Sequence, residues 1–413
     1  NIVGVTGAVI LGGPGAVFWM WLSALIGMCT KFSEVVLAVR YREKNAKGEW
    51  VGGPMYYIKN GLGKNWKWLG ILFSIFGALC AFGIGNATQV NSIATAISNA
   101  IDSLGGNTGA QKLTFLGSEF SLSFLIIGII VAIIVAIVVI GGVKVIGQIT
   151  EKLVPFMAVV YILATLIVIF ADIRFIGEVF RMIFVGAFSP QAIVGGGLGI
   201  TIMTAAKRGV GRGCFSNEAG MGSAPMAHAG TSETNPIRQG VYGIFEVFMD
   251  TIVICTPTCL MVLCNYCATG GASFAFGDSN AHGATVVIGA VSSILSSQVG
   301  SVIIAICLSL FALSTVLSWS LYGVRCCEYL FKGNKVIVTI YKILFVLFVI
   351  VGATLALDDV WNIADILNAF MAVPNLVALI ALSPKVVRLT REFFSNVHKG
   401  KDNNPEIWEA PAE

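Results

Sequence analysis

Long apolar runs recur along the chain, separated by short connections that are polar or rich in glycine. A helix crosses the roughly 30 Å hydrocarbon core of a bilayer with about 20 apolar residues. Runs near or above that length predict nine membrane-spanning helices, and part of a tenth lies at the N-terminal end. The nine predicted spans are 16–39, 68–97, 122–142, 153–171, 192–206, 240–264, 299–322, 336–355 and 360–382.

Three other stretches follow a different pattern. Residues 175–188 mix Glu178 and Arg181 with bulky apolar residues, which predicts an amphipathic helix at the membrane surface, and 282–297 are similar. Residues 192–229 are too long for one crossing and contain nine glycines. We therefore expect the helix in this region to be broken.

The composition supports a membrane protein. Hydrophobic residues make up 56% of the 413 residues and charged residues only 12%, whereas soluble domains are about a quarter charged. The net charge of +4 is spread along the chain, so nucleic acid is not an expected partner. The chain contains no Gly-rich phosphate loop, G-x-S-x-G or H-E-x-x-H motif. We expect no cofactor and no enzyme activity, and the sequence leaves the oligomeric state open.

Basic residues predict the orientation in the membrane. Residues 40–67 carry seven Lys or Arg and residues 385–401 carry five, while residues 265–298 carry none. Because Lys and Arg are enriched in cytoplasmic loops, we expect the 40–67 loop to be cytoplasmic. The same rule predicts that residues 384–413 form a cytoplasmic tail. We expect the protein to lie in the plasma membrane of the cell.

A polar phrase, Asn-x-x-Gly, occurs at Asn1–Gly4 and again at Asn217–Gly220. If the chain is divided just before the second copy, each half contains five helices, and one helix of each half is broken. Since five is odd, the second unit enters the membrane from the opposite side, as in inverted-repeat transporters. The predicted units are 1–189, with its first helix truncated at the N-terminus, and 190–383. Close helix packing through glycine is the alternative explanation.

Several motifs resemble those of the alanine or glycine:cation symporter family of prokaryotes. They are "NIVGV", "LGGPGAVFWMW", "GMCTKFSEVVLAVRYRE", "VGGPMYYI", "RGCFSNEAGMGSAPMAHA" and "VWNIADILNAFMAVPNLVALIALSP". The resemblance covers essentially the whole chain. It implies an all-α, multi-pass LeuT-type inverted repeat of five plus five helices with two discontinuous helices. It also implies import of alanine or glycine in symport with Na⁺, by alternating access around a midplane site. Family members carry further N-terminal residues before the first Asn.

Helix breaks supply the groups that bind an amino acid. Half-helix N–H groups suit a carboxylate, and unwound carbonyls suit Na⁺ or an ammonium. The breaks indicate Asn1, Gly4 and Asn217 as substrate-binding residues. Phe215 is expected to close over a small side chain. Glu218 either contacts the ammonium or an ion, or pairs structurally with Arg212.

Two other helices contribute candidate residues through the family resemblance. It places Gln89, in an otherwise apolar span, against the substrate, although interhelical hydrogen bonding is an alternative. It also assigns Ser314 and Thr315 as sodium ligands, facing first-helix carbonyls, with Thr315 also at the substrate. Trp319, one turn further, either walls the substrate site or packs structurally.

The remaining acidic residues in the spans are interpreted structurally. Lys31 and Glu34, at i and i+3, are expected to pair with each other. Glu246 and Asp250, at i and i+4, are alternatively ion-pathway groups; as like charges on one turn they need a cation, a proton or a basic residue nearby, and neither is assigned to the site. Within the transporter class, H⁺ coupling or another small solute remains an alternative. A channel or membrane receptor is the alternative from another class.

Overall fold

The computed structural model describes residues 1–115, 118–189, 200–279, 281–355 and 357–397. Helices dominate this part of the chain. They are α1 (Val3–Gly12), α2 (Gly15–Arg40), α3 (Pro54–Tyr57), α4 (Lys67–Phe82), α5 (Thr88–Ser103), α6 (Leu122–Ala171), α7 (Ile176–Phe188), α8 (Ile202–Asn217), α9 (Pro225–His228), α10 (Pro236–Val247), α11 (Thr256–Ala268), α12 (Gly283–Ser292), α13 (Ser297–Leu330), α14 (Lys335–Thr354) and α15 (Leu357–Val397).

Two short antiparallel hairpins lie in the connections between helices. β1 (Glu43–Lys44) pairs with β2 (Trp50–Val51), with Glu43 opposite Val51. β3 (Lys112–Phe115) pairs with β4 (Ser118–Ser121), with Lys112 opposite Ser121. The sequence analysis predicted no strands, because each strand is too short to show an alternating pattern.

Eight helical segments among the described residues are long and apolar enough to span a membrane. They are Gly15–Arg40, Lys64–Ser103, Leu122–Gly142, Val145–Ala171, Pro236–Ala268, Ser297–Leu330, Lys335–Thr354 and Ala364–Asn396. The third and fourth are the two parts of α6, which is kinked at Gly142 with a φ of 79°. The predicted all-helical, multi-pass character is therefore confirmed. The ninth predicted span, 192–206, lies partly outside the described residues, and α8 begins at Ile202.

The outward faces of these helices are apolar. Ile137 is 68% exposed and Ile380 is 76% exposed, although both lie within predicted spans. Exposed side chains of this kind are stable only against lipid, so the lipid bilayer is the surrounding medium of the fold.

Small residues bring the inner helices together. α2 packs against α8 and α10, and α13 packs against α4, α5 and α6. At the crossing of α2 and α8, a Cβ on Gly209 would lie only 2.2 Å from the carbonyl oxygen of Ala16. Only glycine allows this approach, as expected where van der Waals packing drives helix association in a membrane.

Several helices are interrupted. π-Helical turns occur at Ile58–Leu62, Gly83–Ala87 and Phe248–Cys255. α8 ends at Asn217, and the next residue, Glu218, has a left-handed φ of 57°. Gly220 and Gly222 have φ of +86° and +81° before α9 begins. This backbone is irregular between buried helices, which is where a membrane protein tolerates it.

The amphipathic segments predicted at 175–188 and 282–297 both form helices, α7 and α12. α7 packs against α2 and buries Val179, Met182 and Ile183, while Glu178 and Arg181 pair on its exposed face. α12 packs against α1 and α13.

Candidate binding cavity

A cavity of about 110 Å³ lies where the interrupted helices meet. The first residues of α1, the start of α5, the end of α8 and the middle of α13 form its walls. A cavity of about 150 Å³ is enough to hold benzene. The volume therefore suits a ligand with only a handful of non-hydrogen atoms.

Seven of the nine predicted site residues line this cavity. They are Asn1, Gly4, Gln89, Phe215, Glu218, Thr315 and Trp319. The structure thus brings together residues that are separated by up to 318 positions in the sequence. Lining residues that the sequence analysis did not select include Thr88, Ser92, Arg212, Ser216 and Trp361.

Asn217 lies behind the cavity wall instead of in it. Its side chain is buried, its Nδ2 donates to Thr251 Oγ1 at 3.0 Å, and its Oδ1 accepts the Ala219 N–H at 3.0 Å. The amide thus holds the first turn after α8 against the π-helical turn Phe248–Cys255. This arrangement gives Asn217 a structural role in the helix break.

Ser314 also lies outside the lining, although its neighbour Thr315 is part of it. Successive residues of a helix point about 100° apart, so adjacent hydroxyls rarely share a face. Ser314 Oγ donates to the Phe311 carbonyl at 2.8 Å, and Thr315 Oγ1 donates to the same oxygen at 3.0 Å. Both hydroxyls are therefore held by their own helix, as is common for Ser and Thr in membrane helices.

The π-helical turn Gly83–Ala87 sets the orientation of Gln89. The Ile84 carbonyl accepts the Gln89 Nε2–H at 3.0 Å and the Thr88 hydroxyl at 2.7 Å. π-Bulges are frequent at functional sites because they redirect side chains out of the regular helical pattern. Here the two polar side chains lie together on the cavity wall.

Glu218 projects into the cavity from the residue at which α8 breaks. Its Oε1 accepts the Trp319 indole N–H at 2.9 Å, and its Oε2 accepts the Ser223 hydroxyl at 2.6 Å. A carboxylate has about four acceptor positions, so both oxygens keep capacity for another donor. Glu218 and Trp319, two predicted site residues on different helices, thus position one another.

Arg212 does not pair with Glu218, which was one of the predicted alternatives. Its guanidinium forms a two-pronged pair with Asp365 of α15, with N–O distances of 3.1 and 3.2 Å. The same guanidinium lies over the ring of Trp361 at 4.3 Å and that of Phe215 at 5.3 Å. The Phe215 and Trp361 rings are 5.1 Å apart. These four side chains join α8 to α15 and cover one end of the cavity.

The predicted pair between Lys31 and Glu34 is also absent. The Lys31 Nζ lies 3.6 Å from Glu246 Oε1 on the neighbouring α10. Glu34 Oε1 instead accepts the Gly222 N–H at 3.0 Å and Asn375 Nδ2 at 2.6 Å. The break after Glu218 leaves backbone N–H groups without acceptors in a helix. The buried Glu34 carboxylate is the acceptor for one of these groups, the N–H of Gly222.

Asp250 was set aside in the sequence analysis, yet it lies directly behind the cavity. Its Oδ1 accepts the hydroxyl of Ser216, a lining residue, at 3.0 Å, and Ser216 Oγ is 2.9 Å from Asn1 Oδ1. Asp250 belongs to a π-helical turn, whereas Glu246 precedes it in α10. The change of helical pitch separates the two carboxylates, which an α-helical i, i+4 pattern would have placed on one face.

Gly85 fixes the position of Trp319 from outside the cavity. A Cβ on Gly85 would lie 2.1 Å from the Cβ of Trp319 and 2.3 Å from its Cγ. Trp319 is accordingly 1% exposed and packs edge-on against Tyr322 at 5.5 Å. The indole therefore forms a firm wall of the cavity.

Comparisons with known proteins identify the family. Residues 1–407 match the sequence model of the sodium:alanine symporter family. The chain is 43% identical over 98% of its length to the sodium/alanine symporter AgcS of Methanococcus maripaludis, of which it covers 82%. It is 40% identical over 96% of its length to an uncharacterised transporter of Haemophilus influenzae, of which it covers 80%. It is 35% identical over 97% of its length to the probable sodium/glutamine symporter GlnT of Bacillus subtilis, of which it covers 77%.

These relatives are transporters. The predictions that the protein is a symporter, that Na⁺ is its coupling ion and that it is a transporter and not an enzyme are confirmed. The chain belongs to the sodium:alanine symporter family and is a sodium-coupled amino acid transporter of the membrane.

Proposed function

We propose that the protein imports alanine or glycine together with Na⁺ by alternating access around the described cavity. The observation that carries this proposal is the small cavity volume, with Trp319 and Phe215 as bulky walls and polar groups at the helix ends. Such a site admits a zwitterion with a short side chain and excludes larger ones by contact.

The substrate carboxylate binds at the N-terminal end of α1. This helix begins at Val3 without a side-chain cap, and its first residues line the cavity. The first N–H groups of a helix have no partner within the helix and lie at the positive end of its dipole. Gly4 and the amide of Asn1 lie at the same place, and Gln89 is a further lining residue of the cavity.

The substrate ammonium binds at Glu218. Glu218 presents a carboxylate that Trp319 and Ser223 orient but do not saturate. An ammonium has three donors and matches this remaining acceptor capacity. Asn217 contributes indirectly, because its two hydrogen bonds hold the turn from which Glu218 projects.

Na⁺ binds beside Ser314 and Thr315, together with carbonyl groups from the first residues of the chain. Hydroxyl and carbonyl oxygens are the hard ligands that this ion prefers. Thr315 supports the proposal most directly because it lines the cavity that α1 also lines. The lone pairs of both hydroxyls stay available when their protons are donated to Phe311.

We propose the repeat and orientation as follows. Residues 1–189 and 190–383 form inverted units, and the loop 40–67 and the tail 384–413 are cytoplasmic. The seven and five basic residues of these two segments support this orientation. It places the cluster of Arg212, Asp365, Phe215 and Trp361 at the outer end of the cavity. Labelling of a cysteine placed at residue 385 by a membrane-impermeant reagent applied outside would overturn it.

Uptake of labelled alanine into proteoliposomes tests the function. We expect accumulation with an inward Na⁺ gradient and none with K⁺ replacing Na⁺, and we expect glycine to compete. Accumulation driven by a pH gradient alone would show that H⁺, and not Na⁺, is the coupling ion. Stronger competition by glutamine than by glycine would refute the substrate class. Saturable flux that never exceeds equilibrium would indicate a channel-like pathway.

A further inference from the structure

The ammonium group of Lys31 lies in the protein interior with unused hydrogen-bonding capacity. Lys31 is 0% exposed, and its only ion pair within the described residues is the 3.6 Å contact with Glu246. That distance is too long for a hydrogen bond, and Nζ has no hydrogen-bond partner in the part of the chain that the structure describes. A buried cation with three unfilled donors is costly, and ionisable groups within a membrane are functional candidates by default.

Glu34 is the complementary group one turn further along α2. It is also fully buried, and its Oε2 has no hydrogen-bond partner among the described residues. Lys31 and Glu34 are three residues apart, so their side chains project from neighbouring positions of the helix surface. Two buried groups of opposite charge are thus both incompletely satisfied, and contact between them would satisfy both.

Each carboxylate belongs to a different part of the molecule. Glu246 accepts from His228 Nε2 at 2.9 Å, and His228 Nδ1 lies 2.8 Å from Gln239 Nε2. This network ties Glu246 to α9 and α10. Glu34 is tied to α15 through Asn375, whose Oδ1 accepts the Tyr57 hydroxyl.

The Glu34 network reaches the cavity wall. Asn375 Nδ2 also donates to the Gly220 carbonyl at 2.9 Å, and Glu34 accepts the Gly222 N–H. Both glycines belong to the break that follows Glu218. Contact of Lys31 with Glu34 Oε2 would place its charge on the carboxylate that holds this break through Oε1, and would therefore act on the position of Glu218.

We infer that Lys31 exchanges carboxylate partners during transport, between Glu246 in the state seen here and Glu34 in the alternate state. The exchange keeps the buried ammonium paired in both states and needs only a change of the Lys31 side chain, because α10 packs closely against α2 at Gly243. It couples this change of partner to the helix break beside the substrate. The inference rests on the proposed alternating access, and it assigns Lys31 as a positioning residue that does not touch substrate.

The test measures which face of the membrane has access to the cavity. Ser92 lines the cavity, and a Ser92→Cys reporter is labelled with a membrane-impermeant thiol reagent in right-side-out and in inside-out vesicles. Peptide mapping identifies the label at residue 92 among the native cysteines. The ratio of labelling from the two faces reports the ratio of the two states without any substrate.

We expect Glu246→Gln and Glu34→Gln to shift this ratio in opposite directions, each by about fivefold or more. Without Glu246, Lys31 moves to Glu34 and access from the outer face increases. Without Glu34, Lys31 stays on Glu246 and outer access decreases. Both variants slow net uptake, because each removes one half of the exchange. Glu178→Gln, which removes an exposed pair with Arg181, is the control and leaves the ratio unchanged.

Shifts in the same direction, or no shift with Glu34→Gln, would overturn the inference and leave Lys31–Glu246 a static pair. If Glu246→Gln fails to fold, Glu246→Asp takes its place. It keeps the charge but withdraws it by one carbon, so a smaller shift of the same sign is expected. If the unmodified protein does not transport alanine but the opposite shifts occur, the proposed substrate fails and the exchange stands.

Discussion

The two Asn-x-x-Gly segments share a sequence pattern but differ in structure. Asn1 and Gly4 lie at the beginning of α1 and line the cavity. Asn217 ends α8, and its side chain is 3% exposed and bonded to Thr251. The residue that reaches the cavity from the second segment is Glu218, at the left-handed turn that follows.

The difference shows what a repeated motif specifies. Both segments mark a helix end, where asparagine and glycine accommodate backbone that leaves helical geometry. One segment precedes its helix and the other follows it, so the first offers N–H groups to the cavity while the second offers a carboxylate. We expect substitutions in the first segment and around Glu218 to change transport, and substitutions at Asn217 to change folding.

Trp319→Ala gives the largest expected effect, because it removes the partner of Glu218 and one wall of the cavity. Truncation of a buried tryptophan costs about 3–5 kcal/mol of stability or contact energy. We expect leucine and methionine to become competitors of uptake while alanine binds more weakly. Competition assays on the folded protein measure this effect.

Trp319→Phe is the matched control, since it retains an aromatic ring at this position while it loses the 2.9 Å hydrogen bond to Glu218 and part of the indole volume. It should keep the size limit and weaken alanine binding slightly. Loss of all transport in folded Trp319→Ala protein, without any gain for larger substrates, would show that Trp319 packs structurally and does not select the substrate.

Asn217→Ala tests the structural half of the comparison. The substitution leaves the buried Ala219 N–H without its acceptor, at a cost of about 1–3 kcal/mol. We expect a lower midpoint in a thermal unfolding assay in detergent, with little change in the KM for alanine of the remaining folded protein. Asn1→Ala should instead raise the KM for alanine and change the unfolding midpoint little. A normal unfolding midpoint with a raised KM in Asn217→Ala would place Asn217 among the substrate ligands.

The double substitution Ser314→Ala and Thr315→Ala tests the two proposed Na⁺ ligands. Removal of two hydroxyls should raise the Na⁺ concentration for half-maximal transport about tenfold, which corresponds to about 1.4 kcal/mol. Of the single variants, Thr315→Ala should have the larger effect because only Thr315 lines the cavity. Unchanged Na⁺ dependence in the double variant would locate the sodium site elsewhere.

Asp365→Asn gives the smallest expected effect. Half-exposed ion pairs contribute about 0.2–1 kcal/mol, and the Asp365 side chain is 47% exposed. We expect labelling of the Ser92→Cys reporter from the outer face to rise by less than about fivefold, because Phe215 and Trp361 still cover the cavity. Glu43→Gln, which breaks a distant exposed pair with Lys59, is the control. A decrease in outer labelling would contradict the proposed role of the cluster as a cover.

The spans were predictable because twenty-residue apolar runs have few alternatives to membrane helices. Seven of the nine predicted site residues line the described cavity, because the helix breaks and the family resemblance both select positions in the interrupted helices. The side-chain partners were less accessible. Lys31 is next to Glu34 in the pattern of α2, yet it pairs with Glu246, because the helix break uses Glu34 for its own N–H groups.

π-Helical turns explain one of the remaining differences, the position of Asp250. They cannot be read from apolar spacing, since an insertion of one residue in a turn leaves the run of hydrophobic residues unchanged. Asp250 was grouped with Glu246 for this reason, although it lies beside Ser216 at the cavity. The family resemblance assigned Ser314 and Thr315 together as Na⁺ ligands, and of the two only Thr315 lines the cavity.

The position of Gly85 implies that a residue outside the cavity can determine which substrate is transported. A single added carbon there would collide with the Trp319 side chain and force the indole to tilt. Because the indole nitrogen holds Glu218, a tilt would alter both the room for the side chain and the place of the ammonium. Variation in transported solute can therefore arise through one backbone position, while every group that faces the solute keeps its chemical identity.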